Sequence, residues 1–183
     1  MKNAFLWTRV CPTALVLALA FAPLGCKRKP AAVHVQQTEE EAPRMASTVN
    51  MGDPRNETQL VNGFYGVEEG AWRWTARQFT VVLRPPFAAG QKGAVLKARL
   101  TVPDPVIAKL KTVSLSASIG GHSLSPETYT QPGSYTYTRD VPANLLGGES
   151  VKVEFQLDKA MPPSGGDMRE LGVVMLSIGL EGK

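Results

Sequence analysis

From Phe79 onward, apolar and polar residues alternate with a period of two, in short runs broken by Gly and Pro. Phe79, Val81 and Leu83 alternate and stop at Arg84-Pro85-Pro86. Leu96, Ala98, Leu100 and Val102 alternate against Lys97, Arg99 and Thr101. Val113, Leu115, Ala117 and Ile119 alternate with Ser and stop at Gly120-Gly121. Tyr135 and Tyr137 alternate with Thr, Val151 to Leu157 with Lys152, Glu154 and Gln156, and Val174 to Leu180 closes the pattern. Successive side chains of a strand point to opposite faces, so each run has one face for a core and one for water. Repeated at this spacing, the pattern predicts an all-β fold: an antiparallel β-sandwich, jelly-roll-like, of seven to nine strands. Only two stretches suit a helical turn. Asp104–Leu110 opens on Asp104, placed as an N-cap with Pro105 at the first helical position, and Val141–Gly148 ends in glycine.

The first 60 residues lack this pattern. Lys2 and Arg9 precede the apolar stretch Cys11–Leu24, which is short for a membrane span. Residues 1–25 read as a signal peptide. Two cleavage signals compete. Ala20-Phe21-Ala22 fits a small-x-small site but places Pro23 after the cut, which predicts plain secretion. Pro23-Leu24-Gly25-Cys26 resembles a bacterial lipobox, departing from it where Pro23 stands for an aliphatic residue. That resemblance implies lipidation of Cys26 and attachment to a membrane outside the cytoplasm, in the cell envelope. Lys27, Arg28 and Lys29 follow, placed either to meet anionic headgroups or to begin a solvated linker. Residues 26–60 are poor in aromatics and rich in Ala, Glu, Thr, Gln and Pro, which predicts a disordered tether. The sandwich domain is then residues 61–183.

Composition narrows the function classes. The chain has two cysteines, Cys11 and Cys26, so residues 27–183 contain no thiolate nucleophile, disulfide or cysteine ligand. Without Lys2 and Arg9, 18 basic residues face 16 acidic ones. No basic stripe is interleaved with aromatics, so no nucleic-acid partner is expected. Of the two histidines, His34 lies in the tether and His122 follows a Gly-Gly turn. No metal-binding or phosphate-cradling motif occurs, so no metal, no cofactor and no catalytic residue is assigned, and the chain is not expected to be an enzyme. Glu68 and Glu69 are adjacent and point apart if extended, so they cannot act as a carboxylate pair.

Two polar clusters remain. In Val67–Phe79, extended chain places Trp72 and Trp74 on one face and Arg73 on the other, with Glu68 just upstream. In Gly165–Val173, Asp167 and Arg169 precede the last apolar run. First and last strands of a sandwich are often neighbours, so the clusters are expected to meet, Arg73 with Asp167 or Glu68 with Arg169. The bland reading makes them a clasp with at least one Trp in the core. The functional reading makes Glu68, Trp72, Arg73, Trp74, Asp167 and Arg169 ligand contacts, with an aromatic platform for a sugar ring.

Taken with their order, Glu68, Arg73-Trp74-Thr75 and Asp167-x-Arg169-x-Leu171-Gly172 resemble an uncharacterised bacterial β-sandwich domain. That domain occurs in exported proteins and appended to some glycosyltransferases. The resemblance spans Gly63 to Glu181 and implies a sandwich associated with carbohydrate, without an established ligand or activity. The expectation is a membrane-anchored, non-catalytic module binding carbohydrate or another cell-envelope glycan. The alternative is a structural lipoprotein that docks another envelope protein.

Overall fold

The computed structural model describes residues 45–183, and nine strands form within them. They are β1 (Thr48–Asn50), β2 (Leu60–Glu68), β3 (Trp72–Leu83), β4 (Ala94–Val102), β5 (Val113–Ile119), β6 (His122–Tyr129), β7 (Gly133–Val141), β8 (Val151–Leu157) and β9 (Val174–Gly182). Short helices α1 (Ala89–Lys92) and α2 (Asp104–Leu110) join strands at the ends. A 3-10 turn, Pro54–Gln59, leads into β2, and another, Ala143–Leu145, follows β7. No helix among the described residues is long and apolar enough to cross a membrane. The predicted leader, Cys26 and Lys27–Lys29 lie outside the described residues.

Every strand pairing is antiparallel, in the order β6-β5-β8-β3-β9-β4-β7, with β2 beside β3 and β1 beside β9. Two layers arise because the twelve-residue β3 changes partners along its length. Gln78–Leu83 pairs with β8, whereas Arg73 and Trp74 pair with β9. One layer is therefore β2-β3-β8-β5-β6 and the other β1-β9-β4-β7, with β3 turning the corner between them. The all-β antiparallel sandwich expected from the alternation is the fold observed.

The alternation also sets the core. Along β4, β5 and β8, residues buried on one side alternate with partly or fully exposed ones. Phe79, Val81, Leu115 and Val153 of one layer and Leu96, Ala98, Tyr137 and Ile178 of the other are 0% exposed. Phe79 stacks on Phe155 at 4.9 Å and meets Phe64 edge-on at 5.4 Å, while Tyr137 meets Phe155 edge-on at 6.3 Å. Such pairs contribute about 0.5–1.5 kcal/mol each beyond the area they bury. The seam between β6 and β7 is closed by side chains. Arg139 donates through Nε to the Ser125 carbonyl at 2.6 Å and through Nη2 to that of Pro126 at 2.9 Å, and Tyr137 Oη donates to Ser125 at 2.9 Å. The Arg139 guanidinium lies 4.2 Å from the Tyr137 ring centre. These groups occupy edge positions that would otherwise be open to a further strand.

Three sequence expectations are corrected. The fold begins before residue 61, because residues 45–60 are part of it rather than tether. Val49 and Met51 are wholly buried, and β1 pairs with β9. The Gln59 amide donates to the carbonyls of Ala46 (3.0 Å) and Val82 (2.7 Å) and accepts from Ala46 N–H at 2.9 Å. A strand of three residues is too short to show a period, and a buried glutamine that satisfies backbone groups looks like linker in composition. Secondly, α2 has no Asp side-chain cap, since Pro103 occupies the cap position and Asp104 opens the helix. Thirdly, the core centre is built on Phe79, Phe155 and Tyr137, whereas Trp72 and Trp74 are half-buried, Trp74 packing against the core's margin.

Candidate functional site

The chain enters the first polar cluster through a hairpin. Glu68 pairs with Trp72, and the Ala71 N–H donates to the Glu68 carbonyl at 3.1 Å. Glu69 (φ 51°) and Gly70 (φ 66°) both take left-handed backbone, the requirement of a type I′ turn. From Trp72 the strand is extended, so Arg73 and Thr75 face inward and are buried.

Arg73 is held by groups local in sequence, and this overturns its expected pairing with Asp167. Its Nε donates to the Met51 carbonyl at 3.0 Å and its Nη1 to the Tyr65 carbonyl at 3.1 Å. Both terminal nitrogens also meet the Glu57 carboxylate. The physical reason is position. Arg73 lies on the inner side of β3, where Met51 just after β1 and Tyr65 of β2 present carbonyls and Glu57 of the 3-10 turn a carboxylate, while Asp167 sits in the loop ahead of β9.

The other expected pair forms. Arg169 donates from Nη1 to Glu68 Oε1 at 3.0 Å, and from Nε and Nη2 to the two Asp167 oxygens at 3.0 and 2.9 Å. Its backbone N–H also reaches Asp167 Oδ1 at 2.9 Å. The guanidinium lies 5.3 Å from the Tyr65 ring centre, and Tyr65 Oη donates to the Glu170 carbonyl at 2.8 Å. These hydrogen bonds hold the Asp167 carboxyl below the usual aspartate range, with the Arg169 side chain the largest cause. They raise Arg169, chiefly through Asp167 and then Glu68. Below this pair, Gly172 N–H donates to the Thr75 carbonyl at 2.7 Å, and Thr75 N–H to the Val173 carbonyl at 2.9 Å. Gly172 fits because a Cβ there would lie 2.5 Å from Leu157 Cδ1 and 2.9 Å from the Ala76 carbonyl oxygen.

Chemically, this cluster is closed. Glu68 and Asp167 share one guanidinium, and Asp167, held below the usual aspartate range, is not poised to trade a proton at neutral pH. Three grooves among the described residues are lined without Trp72 or Trp74. Among the described residues, no three His, Cys, Asp or Glu side chains gather as metal ligands, and His122 is exposed at the start of β6.

A second candidate lies on the outer face of the five-strand layer, and sequence reading passed over it. Strand register stacks polar side chains into two rows. Asn62 stands beside Thr80, Thr80 beside Glu154, Glu154 beside Ser118, and Ser118 beside Ser123. The second row runs from Gln78 to Gln156 to Ser116. Together they line a groove of about 370 Å³. Ser116 Oγ donates to the Gln156 carbonyl at 3.1 Å, and Lys152 pairs with Glu154 at 2.8 Å. Among the described residues, the side chains of Asn62, Gln78, Thr80, Ser118, Ser123 and Gln156 make no hydrogen bond. The signal was present in the sequence as the polar half of the alternation. Only the register shows that these half-patterns align across five strands.

No protein-family model matches the chain, and no curated protein matches at a significant level. Solved structures superpose loosely. A carbohydrate-binding module described for specific mannan recognition, TmCBM27, aligns with a TM-score of 0.44 at 11% identity, over 76% of this chain and 97% of that one. The CBM36-1 domain of a multidomain xylanase from the hindgut metagenome of Trinervitermes trinervoides gives 0.38 at 13% identity, over 72% and 94%. The GH115 4-O-methyl-alpha-glucuronidase BtGH115A gives 0.44 at 13%, over 90% of this chain and 19% of its own length.

Proposed function

We propose that this protein is an exported, lipid-anchored binding module without catalysis, and that it holds a cell-envelope glycan on the outer face of the β2-β3-β8-β5-β6 layer. One observation carries the reading. Amides and hydroxyls from five strands converge on one groove with their hydrogen-bonding capacity unused inside the protein. Each amide offers two donors and an acceptor, and each hydroxyl both, which is the mixture a neutral polyhydroxylated ligand presents in return. The one carboxylate, Glu154, is already balanced by Lys152. The clasp residues Glu68, Asp167 and Arg169, with Arg73, Thr75, Leu171 and Gly172, serve the fold in this account. With Trp74 they are also the residues on which we group the chain with the exported β-sandwich domain it resembles.

Affinity electrophoresis through gels containing different polysaccharides tests the reading. A glycan that retards the wild-type protein is expected to lose its effect on a Gln78→Ala/Gln156→Ala variant and to keep it on Arg169→Ala. Retardation abolished by the Arg169 variant alone would move the site to the clasp, and no retardation by any envelope glycan would sink the proposal. The anchor has its own test. Radiolabelled fatty acid should label the wild-type chain and not Cys26→Ala.

One feature favours a second reading. Val67 (46% exposed) and Met168 (82% exposed) adjoin Glu68 and Arg169. Apolar side chains flanking an arginine suit docking of an envelope protein. A photocrosslinker at position 168 that captures one defined envelope protein in cells, while the groove variants stay silent, would favour it.

A further inference from the structure

Phe87 is 100% exposed, the extreme case among the large apolar residues of the described chain. Its placement is built rather than incidental. Pro85 and Pro86 precede it and fix their own backbone angles. The Ala89 N–H closes a turn onto the Pro86 carbonyl at 3.1 Å, leaving Phe87 at the tip. Ala88, the third residue of that turn, has φ 60°, a left-handed conformation that alanine adopts only at a cost. A groove of about 590 Å³ opens beside it between residues 84–90 and 146–150, and Phe87 does not line it.

This tip is where the chain enters the domain. Met45 lines the same groove, and Arg84 N–H donates to the Ala46 carbonyl at 3.0 Å. Eighteen residues separate Met45 from Cys26. Fully stretched they reach about 65 Å, and as a coil of that length about 25 Å. Arg84 and Lys92 flank the tip without an ion-pair partner among the described residues, while Lys97 and Lys183 are matched by Glu181 and Asp140. Glu149 lines the same groove as Arg84 and makes no ion pair with it. The clasp lies at the other end. The loop carrying Met168 precedes β9, whereas Pro86 meets Gly182 at the strand's far terminus.

We propose that the Phe87 end of the sandwich rests on the lipid surface to which the chain is anchored, the phenyl ring entering the headgroup region and Arg84 and Lys92 meeting anionic lipids. The inference rests on the reading of Cys26 as the anchor point. An aromatic ring flanked by cations suits that interface, and a short tether supplies the local concentration that one ring could not supply alone. The groove face would then stand roughly upright from the membrane, open to ligand.

The test does not depend on natural lipidation. The core is complete from Val49 onward, so a chain starting at Cys26 retains the fold, and Cys26 is then its sole thiol. That thiol is coupled to maleimide lipid in vesicles containing phosphatidylglycerol and brominated phosphatidylcholine. Emission is compared for wild type, Phe87→Trp and Met168→Trp, with Trp72 and Trp74 as a constant background. The emission added at position 87 should fall at least about twofold against unbrominated vesicles, and that added at 168 should not change. Equal quenching at both positions, or none at 87, overturns the proposal. A failed fatty-acid label at Cys26 would instead remove the natural anchor, leaving the coupled-vesicle result to decide whether the surface itself contacts lipid.

Discussion

The clasp and the polar face are both rich in hydrogen-bonding groups, yet they are organised oppositely. At the clasp every guanidinium is matched. Arg73 meets two carbonyls and a carboxylate, and Arg169 meets two carboxylates. On the face, six polar side chains have no partner among the described residues. Charge density drew sequence reading to the clasp, but a charge whose partners are supplied by the same chain has already been used. A region earns a functional reading by what it leaves unmatched. The same contrast recurs within the clasp, because Arg73 is buried and Arg169 is partly exposed.

The largest effect should come from Arg73. Replacing it with Ala leaves the Met51 and Tyr65 carbonyls without their donor and removes the packing of the aliphatic stem, a loss of about 2–4 kcal/mol. Denaturant melts of Arg73→Ala and Glu57→Ala check this. Glu57 is 60% exposed and can be solvated when unpaired, so its removal should cost much less. Equal losses would mean that the ion pair, and not the buried carbonyls, is what matters. Gly172→Ala follows, at about 1–3 kcal/mol, because the added methyl meets Leu157, Thr75 and a backbone oxygen at once. Gly166→Ala, with open space around it, bears only the strain of its φ of 91° and serves as the contrast.

The face should behave in the reverse manner. Gln78→Ala/Gln156→Ala removes amides that support nothing inside the fold, so the unfolding free energy should stay within about 0.5 kcal/mol of wild type. Glycan retardation should weaken by about tenfold or more, the scale of one lost hydrogen-bonding group in a binding site. A double variant that melts early would show that the amides support the sheet, and the contrast between the two regions would collapse.

How much was legible in the sequence follows from range. Strands that keep alternation in sequence announce themselves, as β3, β4, β5, β7, β8 and β9 do, whereas β2 and β6, of similar length, have irregular burial and pair with register shifts that hide their period. The three-residue β1 has no period to show, and its claim to the fold rests on Val49 and Met51 meeting a core assembled by later strands. The pairing of Arg169 with Glu68 was legible as one of two options because first and last strands often adjoin. Which arginine turned inward depended on Glu57 and Met51, residues assigned to a tether. The groove was legible only in pieces. Ser116, Ser118, Gln78 and Gln156 each look like ordinary outward positions, and a site exists only once the register aligns them.

The smallest effect, and the one that separates the two arginines most sharply, concerns acid. Arg169 and its carboxylates are partly exposed, so Arg169→Ala should cost no more than about 1 kcal/mol at neutral pH. Asp167 has a folded pKa below its unfolded value of 3.8, set first by the Arg169 side chain. Its contribution is therefore fully present above the unfolded pKa, and it fades as pH falls through the lower folded value. In Arg169→Ala the largest cause of that depression is removed, and only the hydrogen bond from the residue-169 backbone N–H remains to hold Asp167 down. The difference in stability between wild type and Arg169→Ala should hold constant from neutral pH down to the ordinary aspartate range and shrink only below it. Urea melts at stepped pH measure this directly. A difference that instead vanishes on adding salt at neutral pH would make the clasp a screened surface contact, with its geometry set by the Thr75–Gly172 backbone bonds alone.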